Sequence, residues 1–338
     1  MKKGLVSVIT PCFNTGDYLH WLLDSVLEQT YPYIQMIVVD DGSTDNSRQI
    51  IESYVPKFND RGYSLEYVYQ ENQGQSAAIQ TGLDYVKGEF LVWPDSDDYY
   101  ASPCAIERMV DALVNSPAEY AMVRTQENIV YDSDRDKVIC VNGTLANEYE
   151  PKDLFEDCLF VKNNFYFCSG AYMLRMEEFE NSTELPIFTS KDAGQNWQLL
   201  LPMLYKYRCM TILEPLYNVV DRISSHSRGS VDTDEKWLIR RDTYCDTIVG
   251  TLDRIKGMPD DERSEYKRKI REIYFFEKLD FCLNKGYNKK VKSMIESDIS
   301  DFRIGKKYRL KIILSQIHLY PVYKLYAKIR RRLITTHD

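Results

Sequence analysis

The sequence lacks long apolar segments, paired cysteine motifs and repeats. No apolar run approaches the roughly 18–20 residues of a membrane-spanning helix, and the run after Lys3 ends at Pro11, too early for a secretory signal. The eight cysteines include no CxxC pair, which argues against a zinc or redox motif and predicts reduced thiols. The sequence contains no internal repeat and no low-complexity segment, so nothing in it indicates a solenoid or a disordered chain. We expect a cytoplasmic protein.

Charge is distributed unevenly along the 338 residues. The net charge is −8, yet the segment from Arg303 onward contains ten Lys and Arg residues and one acid. An acidic body argues against nucleic acid as a partner. The basic tail, in which aromatic and aliphatic residues alternate with the cations, favours peripheral binding to an anionic membrane on the inner face of the cell. Packing of this tail on the protein's own acidic body is the alternative.

The first 100 residues alternate between strand and helix patterns. Apolar runs predict strands over 5–10, 36–39, 65–69 and 89–93, with amphipathic helices between them. This alternation is typical of an α/β fold with a mostly parallel central sheet and helices on both faces. The region 101–230 is less regular, apart from a helix predicted over 195–207. Helices predicted over 237–255, 260–284 and 289–299 indicate a helical C-terminal region, so we expect domains at 1–230 and 231–338.

Polar residues follow three of the predicted strands, where open α/β sheets bind ligands. The segment Pro11-Cys12-Phe13-Asn14 follows the first strand, Asp40-Asp41 the second, and Asp95-Ser96-Asp97-Asp98, here named the acidic turn, the fourth. Three carboxylates in four residues suit Mg²⁺ or Mn²⁺ bound to a diphosphate. A helix-capping turn is the alternative for both acidic segments.

Two other nucleotide-binding classes do not match. A nicotinamide oxidoreductase needs GxGxxG after the first strand, where Pro11-Cys12-Phe13-Asn14 stands instead. The Gly-rich or basic phosphate loop of a nucleotidyltransferase is missing from the same place.

Five segments together resemble family-2 glycosyltransferases of the GT-A fold. They are 6–14, 38–45, Asn72-Gln73-Gly74, Gly88-Glu89-Phe90 and the acidic turn. The resemblance is strong over residues 5–100, weaker to about 230 and absent from the helical C-terminal region. It implies a nucleotide-sugar donor, often a UDP-sugar, inversion at the anomeric carbon, and a divalent metal, Mn or Mg.

The resemblance also implies roles for individual residues. Thr10 and Pro11 would border the nucleoside, and Asp41 would hydrogen-bond the base. In the acidic turn, Asp95 and Asp97 match the DxD motif, and Asp98 adjoins it. The residues expected to bind substrate in this part are Thr10, Pro11, Asn14, Asp41, Asp95 and Ser96, and those expected to bind the metal are Asp97 and Asp98.

A second group of candidates lies near residue 225. Family members often have a His, or a loop rich in Ser and Arg, that completes the metal site or covers the diphosphate. His226 is therefore a candidate metal ligand, and Arg222 and Arg228 are candidate substrate contacts. An exposed or structural role is the alternative for His226.

Two departures from the family pattern affect the chemistry. The Arg-Asn pair of the third helix reads Ile79-Gln80, and the Glu-Asp pair that normally supplies the general base reads Gln195-Asn196. Because amides do not accept a proton usefully, we predict that Asp192 is the base; an N-cap is its alternative role. Gln195, Asn196 and Trp197 are expected to orient or stack the acceptor.

The sequence therefore predicts an inverting, metal-dependent glycosyltransferase. Its expected partners are a nucleotide-sugar donor, a glycan or lipid-linked acceptor in cell-surface polysaccharide synthesis, and an anionic membrane surface. The amides at 195 and 196 leave open a second hypothesis, a catalytically silent subunit that binds nucleotide-sugars.

Overall fold

A computed structural model gives the fold of the chain. It describes residues 1–143, 151–222, 233–298 and 306–316. Contacts divide the chain into two compact units, Met1–Ser264 and Glu265–Asp338. The domain boundary expected after residue 230 falls in 223–232, outside the described residues, and stays a prediction.

Nine strands among the described residues of the first unit form one sheet. They are β1 (Lys2–Cys12), β2 (Ile34–Asp40), β3 (Ser64–Tyr69), β4 (Gly88–Val92), β5 (Tyr99–Tyr100), β6 (Tyr120–Tyr131), β7 (Asp134–Asn142), β8 (Tyr172–Arg175) and β9 (Arg208–Asp221). Their order is β3-β2-β1-β4-β8-β6-β9-β5, and β7 pairs with β6. The first four strands are mutually parallel, β8 is antiparallel to β4 and β6, and β9 is parallel to β6.

Eleven helices lie in the described part of the chain. They are α1 (Gly16–Leu27), α2 (Ser47–Arg61), α3 (Gln75–Leu83), α4 (Ala105–Val114), α5 (Pro151–Phe160), α6 (Met176–Ser182), α7 (Asn196–Lys206), α8 (Asp234–Leu252), α9 (Asp260–Lys285), α10 (Asn288–Asp298) and α11 (Lys306–Gln316). A short 3-10 turn, Ser169–Ala171, precedes β8. No helix among the described residues is both long and apolar enough to span a membrane.

Strand alternation explains why helices cover both faces of the sheet. Successive residues of a strand point to opposite faces. Val6 and Val8 of β1 belong to the buried cluster formed with α1, α2 and α4. Ile9 faces the other way, where its side chain lies against Gly82 of α3. The expected α/β architecture, with helices on both faces of a central sheet, is confirmed. The sheet is mixed, because β5, β7 and β8 pair with their neighbours in antiparallel orientation.

The described residues of the second unit form helices. Within it the rings of Phe276 and Tyr308 pack with centroids 4.4 Å apart, and the Tyr308 hydroxyl donates to Asp280 at 2.6 Å. Leu310 and Ile313 of α11 stay about half exposed, at 48% and 54%. The helical C-terminal region expected from the sequence is present in the described residues.

Candidate active site

The ends of β1, β2 and β4 meet at one edge of the sheet. Cys12 at the end of β1 pairs in register with Asp40 at the end of β2. The Thr10 hydroxyl donates to the Pro94 carbonyl at 3.1 Å, and Thr15 donates to Ser96 at 2.9 Å. The loop after β1 therefore contacts the acidic turn, as the parallel arrangement predicts.

Asp41 binds the loop after β3. The residue is 4% exposed, and its Oδ1 accepts hydrogen bonds from Gln70 Nε2 at 2.6 Å and from the Gln73 backbone N–H at 2.9 Å. Its Oδ2 accepts from the Gly74 N–H at 2.8 Å. The side chain expected to contact the base thus also fixes the loop on which α3 begins.

Asn14 links the loops after β1 and β2. Its backbone has a left-handed φ of 52°, which Asn tolerates better than most residues. Its N–H donates to Ser43 Oγ at 2.9 Å, and its Oδ1 accepts from the Thr44 N–H at 2.8 Å. The side chain amide oxygen expected to contact substrate therefore already bonds this neighbouring loop.

Asp95 is surrounded by neutral donors. Its Oδ1 accepts from Gln75 Nε2 at 2.9 Å and from Gln195 Nε2 at 3.1 Å, and its Oδ2 accepts from Ser169 Oγ at 3.0 Å. Burial raises the pKa of this carboxyl, although these hydrogen bonds and the Arg222 charge act in the opposite direction. Three separate chain segments are joined at one carboxylate.

The other two carboxylates of the acidic turn contact the end of β9. Asp97 forms an ion pair with Arg222. Asp98 is buried, and its Oδ1 accepts from the Val220 N–H at 2.8 Å. Burial raises the pKa of Asp98 well above its usual value, and the nearby charges of Asp95 and Glu127 act in the same direction.

The described residues provide few candidate metal ligands. No three His, Cys, Asp or Glu side chains within the described ranges are arranged to bind an ion. Asp97 and Asp98 nevertheless supply the carboxylate oxygens that a hard divalent cation prefers, and Arg222 shows that Asp97 accepts a positive group. These two residues fit part of a Mg²⁺ or Mn²⁺ site. The third expected ligand, His226, and Arg228 lie outside the described residues.

The segment before α7 packs on the start of α3. Ser76 and Ser190 exchange hydrogen bonds at 3.1 and 3.3 Å. A Cβ on Gly74 would lie 2.1 Å from the Lys191 carbonyl oxygen, so the two backbones are in direct contact. Asp192 follows on this segment, exposed, with no hydrogen bond or ion pair to any described residue.

The two amides at the start of α7 face the acidic turn. Gln195 Nε2 donates to Ser169 Oγ at 2.9 Å as well as to Asp95, and it is 2% exposed. Asn196 Oδ1 accepts from Trp93 Nε1 at 3.1 Å and from Ser169 Oγ at 3.3 Å. The Gln195 amide nitrogen and the Asn196 amide oxygen are therefore used within the protein.

Comparison with known proteins identifies the family. The model of glycosyl transferase family 2 matches residues 7–181, which is more than half of the chain. The chain belongs to glycosyl transferase family 2. This confirms the resemblance inferred from the sequence motifs.

Several curated proteins named as glycosyltransferases share part of the sequence. The glycosyltransferase GlyA of Streptococcus pneumoniae is 33% identical over 159 residues, which are 44% of this chain and 22% of the relative. The putative teichuronic acid biosynthesis glycosyltransferase TuaG of Bacillus subtilis is 31% identical over 160 residues, 47% of this chain and 62% of the relative. The matched part thus covers less than two thirds of either relative.

Solved structures share the fold over almost the whole chain. TarS 1–349 of S. aureus, in complex with UDP-GlcNAc, has a TM-score of 0.59 and 16% identity, covering 95% of this chain and 92% of that one. The mannosyltransferase PcManGT of Pyrobaculum calidifontis, in complex with GDP-Man and Mn²⁺, has a TM-score of 0.51 and 16% identity, covering 96% and 87%. At this identity the likeness shows the fold.

One expected site residue of this family-2 chain lies in the core. Trp197 is 9% exposed, its indole N–H donates to the Cys158 carbonyl at 3.1 Å, and its ring packs against Phe167 and Tyr244 at 5.0 and 5.1 Å. Stacking on an acceptor sugar needs an exposed ring face, so that role does not fit. The structure assigns Trp197 to the packing of α7 against α5, α8 and the segment at Phe167.

Three residues of the site were absent from the sequence-based set. Ser169, Gln75 and Trp93 bind Asp95 or the amides of α7. Gly170 follows Ser169, and a Cβ there would lie 2.1 Å from the Tyr217 ring, so the backbone packs too closely for a side chain. Nothing local in the sequence marks Gln75.

Proposed function

We propose that the chain transfers a sugar, with inversion, from a UDP-sugar to a glycan or lipid-linked acceptor of the cell surface. The observation that carries this proposal is the convergence of Thr10, Asp41 and the acidic turn at one edge of a family-2 fold. The UDP-GlcNAc complex of TarS supports the donor class, and the name of TuaG supports a cell-surface glycan.

Two carboxylates would bind the metal. Asp97 and Asp98 would hold Mn²⁺ or Mg²⁺ beside the diphosphate, and the Mn²⁺ complex of PcManGT supports this cofactor. When bound, the cation stabilises the negative charge that develops on the leaving diphosphate. Arg222 adds a positive charge of the chain itself at the same place.

Asp192 is the proposed general base. It would accept the proton of the acceptor hydroxyl while that oxygen bonds to the anomeric carbon and the diphosphate leaves. Its support is its place in the chain, between Lys191, whose carbonyl lies against Gly74, and Gln195, which bonds Asp95. The amides of Gln195 and Asn196 would orient the groups around Asp95 and the acceptor.

Nucleotide release from a panel of UDP-, GDP- and dTDP-sugars, with Mn²⁺ or Mg²⁺, tests the proposal. We expect release from a UDP-sugar that falls by about 10²-fold or more in Asp97→Asn and Asp192→Asn. Asp60→Asn, at an exposed position of α2, is the matched control. Absence of release with every donor, in the presence of lipid and glycan acceptors, would contradict the proposed activity.

A silent donor-binding subunit is the second candidate. It is favoured by the amides at 195 and 196 and by the exposure of Asp192. Metal-dependent donor binding without turnover, and without any effect of Asp192→Asn, would support this alternative.

We also propose that the C-terminal region binds an anionic membrane surface. Arg309, Leu310 and Ile313 are exposed on α11, and the rest of the basic tail, 317–338, lies outside the described residues. Cosedimentation with phosphatidylglycerol vesicles should weaken in the double variant Leu310→Asp/Ile313→Asp and persist in Ile239→Asp, an equally exposed control on α8. Equal binding to neutral vesicles would contradict the proposal.

A further inference from the structure

Charged and aromatic residues from three elements surround Arg222, next to the acidic turn. Tyr18 lies on α1, Arg135 at the beginning of β7, and Arg222 directly after β9. The guanidinium carbon of Arg222 lies 4.3 Å from the centroid of the Tyr18 ring, and that of Arg135 lies 5.4 Å from the same centroid. The Tyr18 ring therefore contacts two guanidinium groups next to the three carboxylates of the acidic turn.

Arg222 has a hydrogen-bond donor without an acceptor. Its side chain is 11% exposed and pairs with Asp97, yet its Nε is buried and has no partner among the described residues. Buried N–H groups of folded proteins are almost always paired. A guanidinium with an unused donor beside an ion pair suits a ligand that carries several oxygens, such as a diphosphate.

The Tyr18 ring is itself fixed from the other side. Its hydroxyl donates to Asp132 at 3.3 Å, and Arg135 packs at 4.4 Å from the Trp21 ring. The Arg135 side chain is 8% exposed, and its buried Nη1 also has no hydrogen-bond partner within the described ranges. Tyr18 thus offers Arg222 a positioned aromatic face, an arrangement that favours a guanidinium.

We propose that Tyr18 is a positioning residue that keeps Arg222 on Asp97 until a divalent cation and a diphosphate arrive together. In this state Arg222 neutralises the carboxylate that the cation needs. The diphosphate then draws Arg222 away, because its oxygens satisfy both the charge and the unused Nε–H. This inference rests on the proposed nucleotide-sugar binding, and it makes metal binding depend on the nucleotide.

The physical reason is competition for one carboxylate. A guanidinium in contact with Asp97 repels a divalent cation at the same oxygens, and this repulsion is strong in a partly buried site. Removal of the guanidinium charge should therefore favour metal binding in the absence of nucleotide. The same change should weaken the coupling between metal and nucleotide, because Arg222 contributes to both states.

Manganese binding to the full chain without nucleotide tests the inference. Loss of the electron paramagnetic resonance signal of aqueous Mn²⁺ gives the dissociation constant. We expect Arg222→Gln to bind Mn²⁺ at least about fivefold more tightly than the wild type. Tyr18→Leu should bind more tightly by a smaller factor, whereas Tyr18→Phe, which keeps the ring, should stay within about twofold.

A matched control and a second titration separate the possible outcomes. Arg268→Gln removes an exposed arginine that pairs with Glu272 on α9, and it should leave Mn²⁺ binding unchanged. Addition of UDP should tighten Mn²⁺ binding in the wild type much more than in Arg222→Gln. If UDP does not change the Mn²⁺ affinity of the wild type, the proposed nucleotide binding is wrong. The comparison of Mn²⁺ affinities without nucleotide still tests the role of Arg222.

Three results would overturn the inference. The first is an Mn²⁺ affinity of Arg222→Gln that equals or falls below that of the wild type. The second is a Tyr18→Phe variant that behaves like Tyr18→Leu. The third is an absence of Mn²⁺ binding in every variant, since no competition for Asp97 then exists. Far-ultraviolet circular dichroism verifies that each variant is folded.

Discussion

Gln195 donates a hydrogen bond to Asp95 across the site, from Nε2 to Oδ1 at 3.1 Å. Gln195 stands where the family resemblance implies a glutamate. A carboxylate there would face Asp95 as a like charge and would lose the hydrogen bond. The neutral amide is therefore the side chain that suits this contact.

The first prediction concerns that contact. Gln195→Glu should lower the free energy of unfolding by about 1–3 kcal/mol and weaken donor binding about tenfold, because two carboxylates would meet in a buried site. Urea unfolding and calorimetric titration with the donor measure both effects. Gln49→Glu, at an exposed position of α2, is the control. Gln198 and Gln70 are unsuitable because Gln198 is buried and Gln70 bonds Asp41. Unchanged stability would show that Asp95 tolerates the charge.

The second prediction concerns the neighbouring amide. Asn196 uses its Oδ1 only as an acceptor, from Trp93 and Ser169, and a carboxylate oxygen accepts equally well. Asn196→Asp should therefore fold normally and change turnover less than about twofold if Asp192 is the base. A large increase in turnover would instead identify position 196 as the catalytic position and contradict the assignment of Asp192.

The third prediction concerns two glycines with positive φ, 94° at Gly74 and 84° at Gly62. The ψ of 14° places Gly62 in the left-handed helical region, whereas the ψ of 165° places Gly74 in a region that is open almost only to glycine. A Cβ at 74 meets the Lys191 carbonyl at 2.1 Å, whereas a Cβ at 62 meets nothing within 4 Å. Gly62→Ala should cost about 1 kcal/mol and Gly74→Ala about 2–3 kcal/mol, with a loss of donor binding only in the latter. Equal costs in urea unfolding would disprove the contact.

The fourth prediction concerns pH. Burial raises the pKa of Asp45, but hydrogen bonds from Ser47 and from the Gly16 N–H outweigh burial, and the net pKa lies below its usual value. A lowered folded pKa stabilises the protein above the unfolded pKa of about 3.9, and this contribution disappears as the pH falls through the folded value. Asp45→Asn should therefore be less stable than the wild type near neutral pH, by at most about 1 kcal/mol because solvent screens this exposed carboxylate, and the difference should shrink in acid.

Urea unfolding across this pH range measures that difference. Asp60→Asn, at an exposed position of α2, is the control and should show no pH-dependent change relative to the wild type. A constant difference between Asp45→Asn and the wild type at all pH values would contradict the assignment of the lowered pKa to Asp45.

The sequence predicted the first four strands because each is a buried apolar run, as in the β-branched Ile37-Val38-Val39 of β2. It did not predict β6, whose buried middle contains Arg124, Gln126 and Glu127. Polar residues in a strand erase the apolar signal, although here they contact other polar groups and aromatic rings. The two-residue β5 is too short to give any pattern.

Some residues of the site are likewise marked by a local sequence pattern, and others are not. Residues that directly follow predicted strands, such as Asp41 and Asp95, were identifiable because parallel strand ends share an edge. Ser169 and Gln75 contact Asp95 only through the fold, so no local pattern marks them. Trp197 was assigned from its place beside the amides, but its side chain turns into the core, a direction that sequence spacing alone does not fix.

Calorimetric titration of the full chain with UDP-sugars, with and without Mn²⁺, measures whether the acidic turn holds the diphosphate of the donor. We expect binding that requires the metal, is lost in Asp97→Asn and persists in Asp60→Asn. Binding of equal strength without metal and in Asp97→Asn would contradict the claim that the acidic turn holds the diphosphate of the donor.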